Sequence, residues 1–479
     1  MRRRLLFVSL LPALAVPADV SAQQQFPAEL VGHAYLPAQA ISLPPPKDAP
    51  EAFAVSGKYT GPDWRRVDTV GSIPGTSYIS DKSAPRPTGV STPFKGQPLQ
   101  GFSGIKAMQD GSFWVMTDNG FGAKKDSADA LLMFHHVKPD WRAGTVQHLE
   151  TVFLHDPDRK IPFLIVNEGT EKRYLTGADL DIESMQFIGD SVWFGDEFGP
   201  YLVRTDRNGK VLALYETKLE GKVLRSPDHY AVNTPAVPGA FSTPVRRSRG
   251  FEGMAASKDG NFLYPLLEGP LWIEAEKKWE TDKEGREYLR ILEFDVAKED
   301  WTGRSFKYRV EENGNNIGDF NMVDADTGLI IERDTLEGLP EDVCSGTLRP
   351  DCYPTPAKFK RVYKISLKDA DADGFVKKIG YVDLLNIKDP NGAAKRARKT
   401  ACSNSRSSPS RTSTWSTAST SWLQTTTTCL TPPAANRTCR MTTSSSCCGS
   451  PTCFARGRRH ESHVEAVAQV ERSETLSCP

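Results

Sequence analysis

Residues 183–199 read ESMQFIGDSVWFGDEFG, and this stretch indicates the architecture of the domain. Two apolar runs flank Gly189-Asp190, as expected for a tight hairpin in which glycine supplies a positive φ. An acid, Glu183, precedes the first run, and Asp196 and Glu197 follow the second. The stretch therefore predicts two antiparallel strands whose shared end carries carboxylates.

The same pattern of small or acidic group, strand, turn, strand and polar end occurs three more times. The other copies are SGIKAMQDGSFWVMTDNG at 103–120, EGMAASKDGNFLYPLLEG at 252–269 and GDFNMVDADTGLIIERD at 318–334. We expect Gly111, Gly260 and Gly328 to supply the positive φ in these turns. Repeated strand units with little helix predict an all-β fold, a β-propeller of about six blades. A β-sandwich with long loops is the alternative.

The composition changes sharply near Arg396. Residues 403–454 are dominated by Ser, Thr and Cys, with almost no Leu, Ile or Val, so they bury too little apolar surface to fold. We interpret residues 397–479 as an out-of-frame, low-complexity tail, expected to be disordered. Moving the frame back by one nucleotide converts TCN serine codons into codons for apolar residues and allows readings such as FFTIENVDVVD. The last blade would then be incomplete. A plain Ser/Thr-rich tail is the alternative.

The N-terminus predicts export. Residues 1–22 combine three arginines, an apolar run too short to span a bilayer and a small-residue cleavage site, as in a signal peptide. We expect a periplasmic or secreted protein with no transmembrane segment after cleavage. Residues 23–70 form a Pro-rich segment, and residues 71–396 form the propeller domain.

Cysteine usage agrees with export. Seven of the nine cysteines lie beyond Arg396, and the remaining close pair, Cys344 and Cys352, is typical of a disulfide in an exported chain. The formal net charge is +0, so nothing favours nucleic-acid binding.

Acids at the ends of the copies would converge on the central channel of a propeller. The candidate metal ligands are Asp118, Glu183, Glu252, Asp319, Glu332 and Asp334. Hard oxygen ligands suit Ca²⁺ better than Mg²⁺, which demands a tighter octahedron. Arg249, Arg333 and Lys106 are candidates for binding phosphate. Taken singly, each acid is better explained as a turn or salt-bridge residue; for the set, the register of the copies favours a site.

The catalytic candidates are Glu183, Glu252, Asp196, Glu197 and His229. Adjacent residues of a strand point to opposite faces, so only Asp196 or Glu197 can face a channel, and the sequence leaves that choice open. No G-x-S-x-G motif supports a serine hydrolase.

Four blocks together resemble the bacterial phytase-like domain, described as having esterase-like activity of phytase. These are GFSGIKAMQDGSFWVMTDNGFG, DIESMQFIGDSVWFGDEFGPYLVR, SRGFEGMAASKDGNFLYPLLEGPL and IGDFNMVDADTGLIIERD, within about residues 70–396. The resemblance implies an exported, propeller-like hydrolase of small phosphate or carboxylic esters. We expect Ca²⁺ assistance and a monomer. The alternatives are a non-catalytic propeller that binds a ligand or partner in the cell envelope, and an inactive truncated product.

Overall fold

The computed structural model describes residues 23–394, except 38, 60–65, 78–85, 100, 119 and 234–241. The predicted signal peptide and the predicted out-of-frame tail lie outside the described residues. Helix in the described part is limited to four short 3-10 turns, at Glu51–Ala54, Lys124–Asp126, Pro340–Asp342 and Leu384–Asn386. No helix in that part is long and apolar enough to cross a bilayer.

Strands make up the rest of the regular structure. In chain order they are β1 (Gln24–Gln25), β2 (Val55–Ser56), β3 (Ile73–Ser77), β4 (Arg86–Thr92), β5 (Phe94–Lys95), β6 (Phe102–Ala107), β7 (Phe113–Thr117), β8 (Met133–Asp140), β9 (Thr145–Phe153), β10 (Ile182–Ile188), β11 (Ser191–Asp196), β12 (Tyr201–Asp206), β13 (Val211–Glu216), β14 (Lys218–Leu219), β15 (Lys222–Val223), β16 (Phe251–Ala256), β17 (Phe262–Leu267), β18 (Trp272–Ile273), β19 (Lys278–Trp279), β20 (Tyr288–Asp295), β21 (Asp300–Arg309), β22 (Asn316–Met322), β23 (Thr327–Arg333), β24 (Lys360–Ser366) and β25 (Lys377–Asp383).

Four antiparallel sheets form the body of the described structure. The first contains β6 to β9 and the second β10 to β13, while the third contains β16, β17, β20 and β21. The fourth contains β22 to β25, and β1 adds to it parallel to β25. The first strands of the sheets contact one another in chain order, and β22 contacts β6. The innermost strands therefore surround one axis, which confirms the predicted all-β, propeller-like fold.

The number of blades differs from the expected number of about six. The described residues form four blade-like sheets, and the ribbon of β3 and β4 pairs with no further described strand. The expected count also included a copy decoded beyond Arg396, which lies outside the described residues. The irregular spacing of the copies gave the sequence no firm basis for a count.

Adjacent sheets share hydrophobic clusters. Met116 and Met185 belong to one between the first and second sheets, Trp193 and Met254 to one between the second and third, and a similar cluster joins the third and fourth. Each fully buried side chain of this size contributes about 1.5–3 kcal/mol. No cluster of described residues spans the fourth and first sheets. There the N-terminal segment passes from β1 to a bridge between Tyr35 and Thr145 of β9.

The predicted turns form with one exception. Gly111, Gly189 and Gly260 have φ values of 79°, 56° and 72°. Gly328 lies in β23 instead, and the side chain of Asp324 forms the turn by accepting from the backbone N–H groups of the residues two and three positions later. A Cβ at Gly328 would lie 2.6 Å from Cε2 of Phe320, so close packing requires this glycine. The expectation of positive φ at Gly328 was therefore wrong.

The loop between β23 and β24 contains the disulfide between Cys344 and Cys352, whose Cα atoms are 4.9 Å apart. Arg86 of β4 binds this loop, because its guanidinium donates to the carbonyl of Pro350 at 3.1 Å and to Oε2 of Glu337 at 2.9 Å. The disulfide loop thus anchors the N-terminal ribbon.

Candidate functional site

An irregularity of strand pairing occurs at the same place in all four sheets. In the second sheet, Ile182 pairs with Asp196 and Ser184 with Gly195, which leaves Glu183 as an extra residue in a β-bulge. A bulge re-aims the side chain of its extra residue, and bulges are frequent next to functional sites. The equivalent bulge residues of the four sheets are Ser103, Glu183, Glu252 and the pair Gly318-Asp319.

Two of these bulge residues, Glu183 and Glu252, lie close to other acids. One carboxylate oxygen from each of Asp181, Glu183 and Glu197 lies within 4.8 Å of the other two, and the same holds for Glu197, Glu252 and Glu268. We call these five residues the carboxylate cluster. Each is 4% exposed or less. Glu197 belongs to both groups, so the cluster crosses the seam between the second and third sheets.

Close backbone approach makes this seam possible. Gly250 directly precedes β16, and a Cβ at this position would lie 2.5 Å from Cα of Glu197. The carbonyl of Gly250 accepts a hydrogen bond of 2.8 Å from the backbone N–H of Glu268. A larger residue at position 250 would therefore separate the two sheets and move the carboxylates apart.

The cluster concentrates negative charge away from water. Burial raises the pKa of Glu197 well above its ordinary value, and the neighbouring carboxylates raise it further. Nη1 of Arg249 lies 2.7 Å from Oε2 of Glu268, and this carboxylate is the main cause that raises the pKa of Arg249. Oε1 of Glu197 is buried and meets no hydrogen-bond donor among the described residues.

Asp196 has a different role from its neighbour Glu197. Its two oxygens accept hydrogen bonds of 2.7 Å from the backbone N–H groups of Asp181 and Gly199. Burial raises its pKa to about 7. Asp196 thus fixes the backbone that carries Asp181, while Glu197 is the residue that the structure places in the cluster.

The predicted ligands of the fourth sheet do not join the cluster. Glu332 accepts from Tyr308 Oη at 2.7 Å and from Lys378 Nζ at 3.0 Å, with two further donors. Asp334 accepts from the backbone N–H groups of Lys358 and Phe359 at 2.7 and 3.1 Å. Both carboxylates thus accept hydrogen bonds from neighbouring groups of the fold, as structural acids do.

Asp118 and Asp319 also lie apart from the cluster. Asp118 accepts from the backbone N–H of Gly120 at 2.8 Å, which closes a local turn. Asp319 accepts from the N–H of Phe320 at 2.7 Å, and burial raises its pKa to about 7 although Lys106 opposes the rise. Lys106 is thereby placed at the contact between the fourth and first sheets.

His229 and Arg333 interact outside the cluster. Nε2 of His229 lies 3.1 Å from Oε1 of Glu216, and Nδ1 accepts from the N–H of Ala231 at 3.0 Å. Nη1 of Arg333 donates to the carbonyl of Asp334 at 3.5 Å. Arg249, the third basic candidate, contacts the cluster through its ion pair with Glu268.

Sequence reasoning did not assign two members of the cluster, Asp181 and Glu268, as ligands. Glu268 has the same register as Glu197, one residue past its strand, and this equivalence was a usable signal. Asp181 lies two residues before Glu183, on the same side of an extended chain. The bulge at Glu183 could not be read from the sequence.

Comparison with solved structures gives low similarity scores. A proposed 6-phosphogluconolactonase from Bacteroides uniformis is 11% identical, with a TM-score of 0.26, and the match covers 68% of this chain and 81% of that one. Hydrazine synthase from Kuenenia stuttgartiensis is 10% identical, with a TM-score of 0.25 and coverages of 63% and 69%.

Comparison with other sequences and with family models is more informative. An uncharacterized secreted protein of Arthroderma benhamiae is 31% identical over 128 residues, which are 25% of this chain and 24% of that protein. The chain thus matches about a quarter of the length of this relative. The family model "Phytase-like: Esterase-like activity of phytase" matches residues 97–404. This match spans more than half of the chain, and the protein therefore belongs to the phytase-like family.

Proposed function

We propose that the protein is an exported hydrolase of phosphate or carboxylic esters, assisted by Ca²⁺ held in the carboxylate cluster. One observation carries the proposal: buried acids from two sheets meet at Glu197, whose Oε1 has no donor among the described residues. The family to which the chain belongs is described by esterase-like activity, which supports hydrolysis.

The residues of the cluster fit a hard divalent cation. All five offer carboxylate oxygens, and the wider, more flexible coordination of Ca²⁺ suits five acids better than the small octahedron of Mg²⁺. Like charges cannot remain ionised together in a buried site without compensation. When bound, such a cation polarises a carbonyl or phosphoryl oxygen and opposes the negative charge that develops in the transition state.

Arg249 is the residue best placed to contact a substrate. Its side chain is 32% exposed, whereas its partner Glu268 is 3% exposed, so the guanidinium lies between the cluster and solvent. A guanidinium presents paired donors that match phosphate and carboxylate oxygens. We therefore assign substrate binding first to Arg249, and keep Lys106 and Arg333 as further candidates.

Export is part of the proposal. The predicted signal peptide, the disulfide between Cys344 and Cys352 and the secreted relative support it.

A chelation experiment tests the proposed function. The full chain is treated with chelator, dialysed and assayed with Ca²⁺ or Mg²⁺ for melting temperature and for hydrolysis of p-nitrophenyl phosphate and p-nitrophenyl acetate. We expect Ca²⁺ to raise the melting temperature and support turnover, and Glu252→Gln to lower turnover by about 100-fold or more. Glu284→Gln, at an exposed position in the turn that precedes β20, is the matched control and should be silent.

Two results would overturn the proposal. If chelation changes neither stability nor turnover, the cluster holds no functional cation. If Ca²⁺ stabilises the chain but neither ester is hydrolysed, the protein is a non-catalytic ligand-binding propeller.

We also propose that the chain leaves its original reading frame near Arg396, which would make this product incomplete. The family match ends at residue 404, eight residues past the compositional break, and no described hydrophobic cluster joins the fourth and first sheets. Resequencing the gene around codon 396 tests this. An independent clone with an unchanged frame, encoding a protease-resistant segment at 397–479, would contradict it.

A further inference from the structure

We propose that Arg246 is the second arginine of an oxyanion site beside the carboxylate cluster, where it binds a phosphate or carboxylate group together with Arg249. This inference rests on the proposed function for the role of Arg249 in binding substrate, and it adds a residue that nothing in the sequence analysis singled out. Arg246 lies in the segment that leads into β16, three residues before Arg249.

Two neighbouring segments hold both arginines at the end of the third sheet that carries the cluster acids. Residues 242–250 lead into β16, and the ribbon of β18 and β19 follows β17. A Cβ at Gly269 would lie 3.1 Å from Cβ of Arg249, so the two segments pack directly against each other. The backbone N–H of Trp272 donates to the carbonyl of Pro244 at 2.8 Å, which attaches the ribbon to the segment that contains the arginines.

Stacking on the ribbon orients the guanidinium of Arg246. Its Cζ lies 3.9 Å from the centroid of the Trp279 ring, and Trp272 packs against Trp279 in a T-shaped pair with centroids 5.1 Å apart. An arginine that stacks on an aromatic face keeps its N–H donors at the edge of its plane, in a fork that matches an oxyanion. Arg246 is half-buried, so part of its side chain is open to solvent.

Arg246 differs in its partners from stacked arginines elsewhere in the third sheet. Arg290 of β20 lies over a tyrosine ring and donates to Glu280 at 3.1 Å. Arg304 of β21 lies over a phenylalanine ring and donates to Glu293 at 3.3 Å. Among the described residues, the guanidinium of Arg246 has no such acceptor. Since a partly buried cation without an acid partner is unfavourable, the position suits an anionic ligand.

The electrostatic surroundings of Arg246 also favour an added anion. Burial lowers the pKa of Arg246, and the like charge of Arg249 lowers it further, although Glu287 opposes this shift. Oε2 of Glu287 accepts a hydrogen bond of 3.0 Å from the backbone N–H of Gly314, so this acid already has a structural partner. An oxyanion that contacts both guanidiniums would offset their repulsion and accept charge-assisted hydrogen bonds from each.

Anion titration tests the site without reference to activity. The full chain is titrated by calorimetry with inorganic phosphate and, separately, with acetate at neutral pH. We expect at least one of the two ions to bind, and the ion that binds more tightly identifies the class of ester that the site accepts. Arg246→Gln should weaken this binding by about tenfold or more, because it removes charge-assisted hydrogen bonds.

Two further variants complete the test. Arg247→Gln is the matched control, because Arg247 is the next residue, is 61% exposed and forms an ion pair with Asp228, and it should bind the ion like the wild type. Arg246→Lys keeps the charge without the fork of donors, and should also weaken binding. It carries the same test if Arg246→Gln fails to fold, which melting temperatures show.

The outcomes separate this inference from the proposed function. If neither ion binds the wild type at about 10 mM, or if both variants of Arg246 bind as tightly as the wild type, the oxyanion site is overturned even when esters are hydrolysed. If an ion binds and depends on Arg246, but neither ester is hydrolysed, the site is supported and the hydrolase is overturned.

Discussion

Glu332 in the fourth sheet and Glu197 in the second are buried acids at the ends of corresponding strands, 0% and 1% exposed. Glu332 receives hydrogen bonds from Tyr308, Lys378 and two other donors. Glu197 faces four carboxylates, and its Oε1 has no donor among the described residues. The difference teaches that burial of an acid does not identify a binding site; the donors supplied by neighbouring strands decide between structure and function.

The difference arises at one equivalent position in each sheet, the residue that follows the partner of the last paired residue before the bulge. The equivalent residues of the four sheets are Asp118, Glu197, Glu268 and Arg333. The second and third sheets have acids at this position, next to acidic bulge residues, whereas the fourth sheet has an arginine. The first sheet has serine at its bulge, at Ser103. Among the described residues, close groups of acids therefore lie at the seam between the second and third sheets.

The largest expected effect is at the structural acid. Glu332→Ala should lower the free energy of unfolding by about 3–5 kcal/mol, because it leaves the buried groups of Tyr308 and Lys378 without this acceptor. Urea denaturation at neutral pH measures the loss. Glu332→Gln, which keeps an acceptor oxygen, should lose less. A loss below about 1 kcal/mol for the alanine variant would show that Glu332 does not stabilise the fold as a structural acid.

An intermediate effect is expected at the contact between the fourth and first sheets. Burial raises the pKa of Asp319 from 3.8 to about 7, and Lys106 is the nearby charge. The folded chain therefore holds a proton that the unfolded chain releases near pH 4. Stability from this group is highest at low pH and is lost as the pH rises from about 4 to 7.

Asp319→Asn removes this dependence. Between pH 5 and pH 8 the variant should gain roughly 2–3 kcal/mol relative to the wild type, from about 1.4 kcal/mol for each pKa unit. Urea denaturation of both proteins at the two pH values checks the difference. Equal slopes of stability against pH would show that Asp319 is ionised throughout, as a site carboxylate balanced by a cation would be.

Much of the fold was predictable because its signals are local. Alternating apolar residues and Asp-Gly or Gly-Asp turns define the hairpins, and their repetition predicted a propeller. Gly328 was misread because the side chain of Asp324 forms that turn, while Phe320 restricts position 328 to glycine. A tertiary contact therefore requires glycine at position 328, just as a turn with positive φ would have required it.

The candidate site was predictable only in part, for a non-local reason. Register identified Glu183, Glu252 and Glu197 as acids at one end of the repeats. It could not reveal that Lys378, from the last strand of the fourth sheet, pairs with Glu332, or that Asp196 accepts from its own loop. Whether a buried acid receives hydrogen bonds, as Glu332 does, depends on residues distant in sequence.

The smallest expected effect distinguishes a cation ligand from a structural acid by the sign of the change in the free energy of unfolding. In the chelated protein, Glu252→Gln should raise the free energy of unfolding by roughly 1 kcal/mol, about the energy of one pKa unit, because it removes one of several like charges. With excess Ca²⁺ the variant should instead be less stable than the wild type, since it lacks one ligand of the cation. Thermal denaturation with chelator and with Ca²⁺ measures both states, and Glu284→Gln controls for a lost surface charge. If Glu252→Gln destabilises the ion-free chain, as Glu332→Gln should, then Glu252 is a structural acid and the cluster is not a cation site.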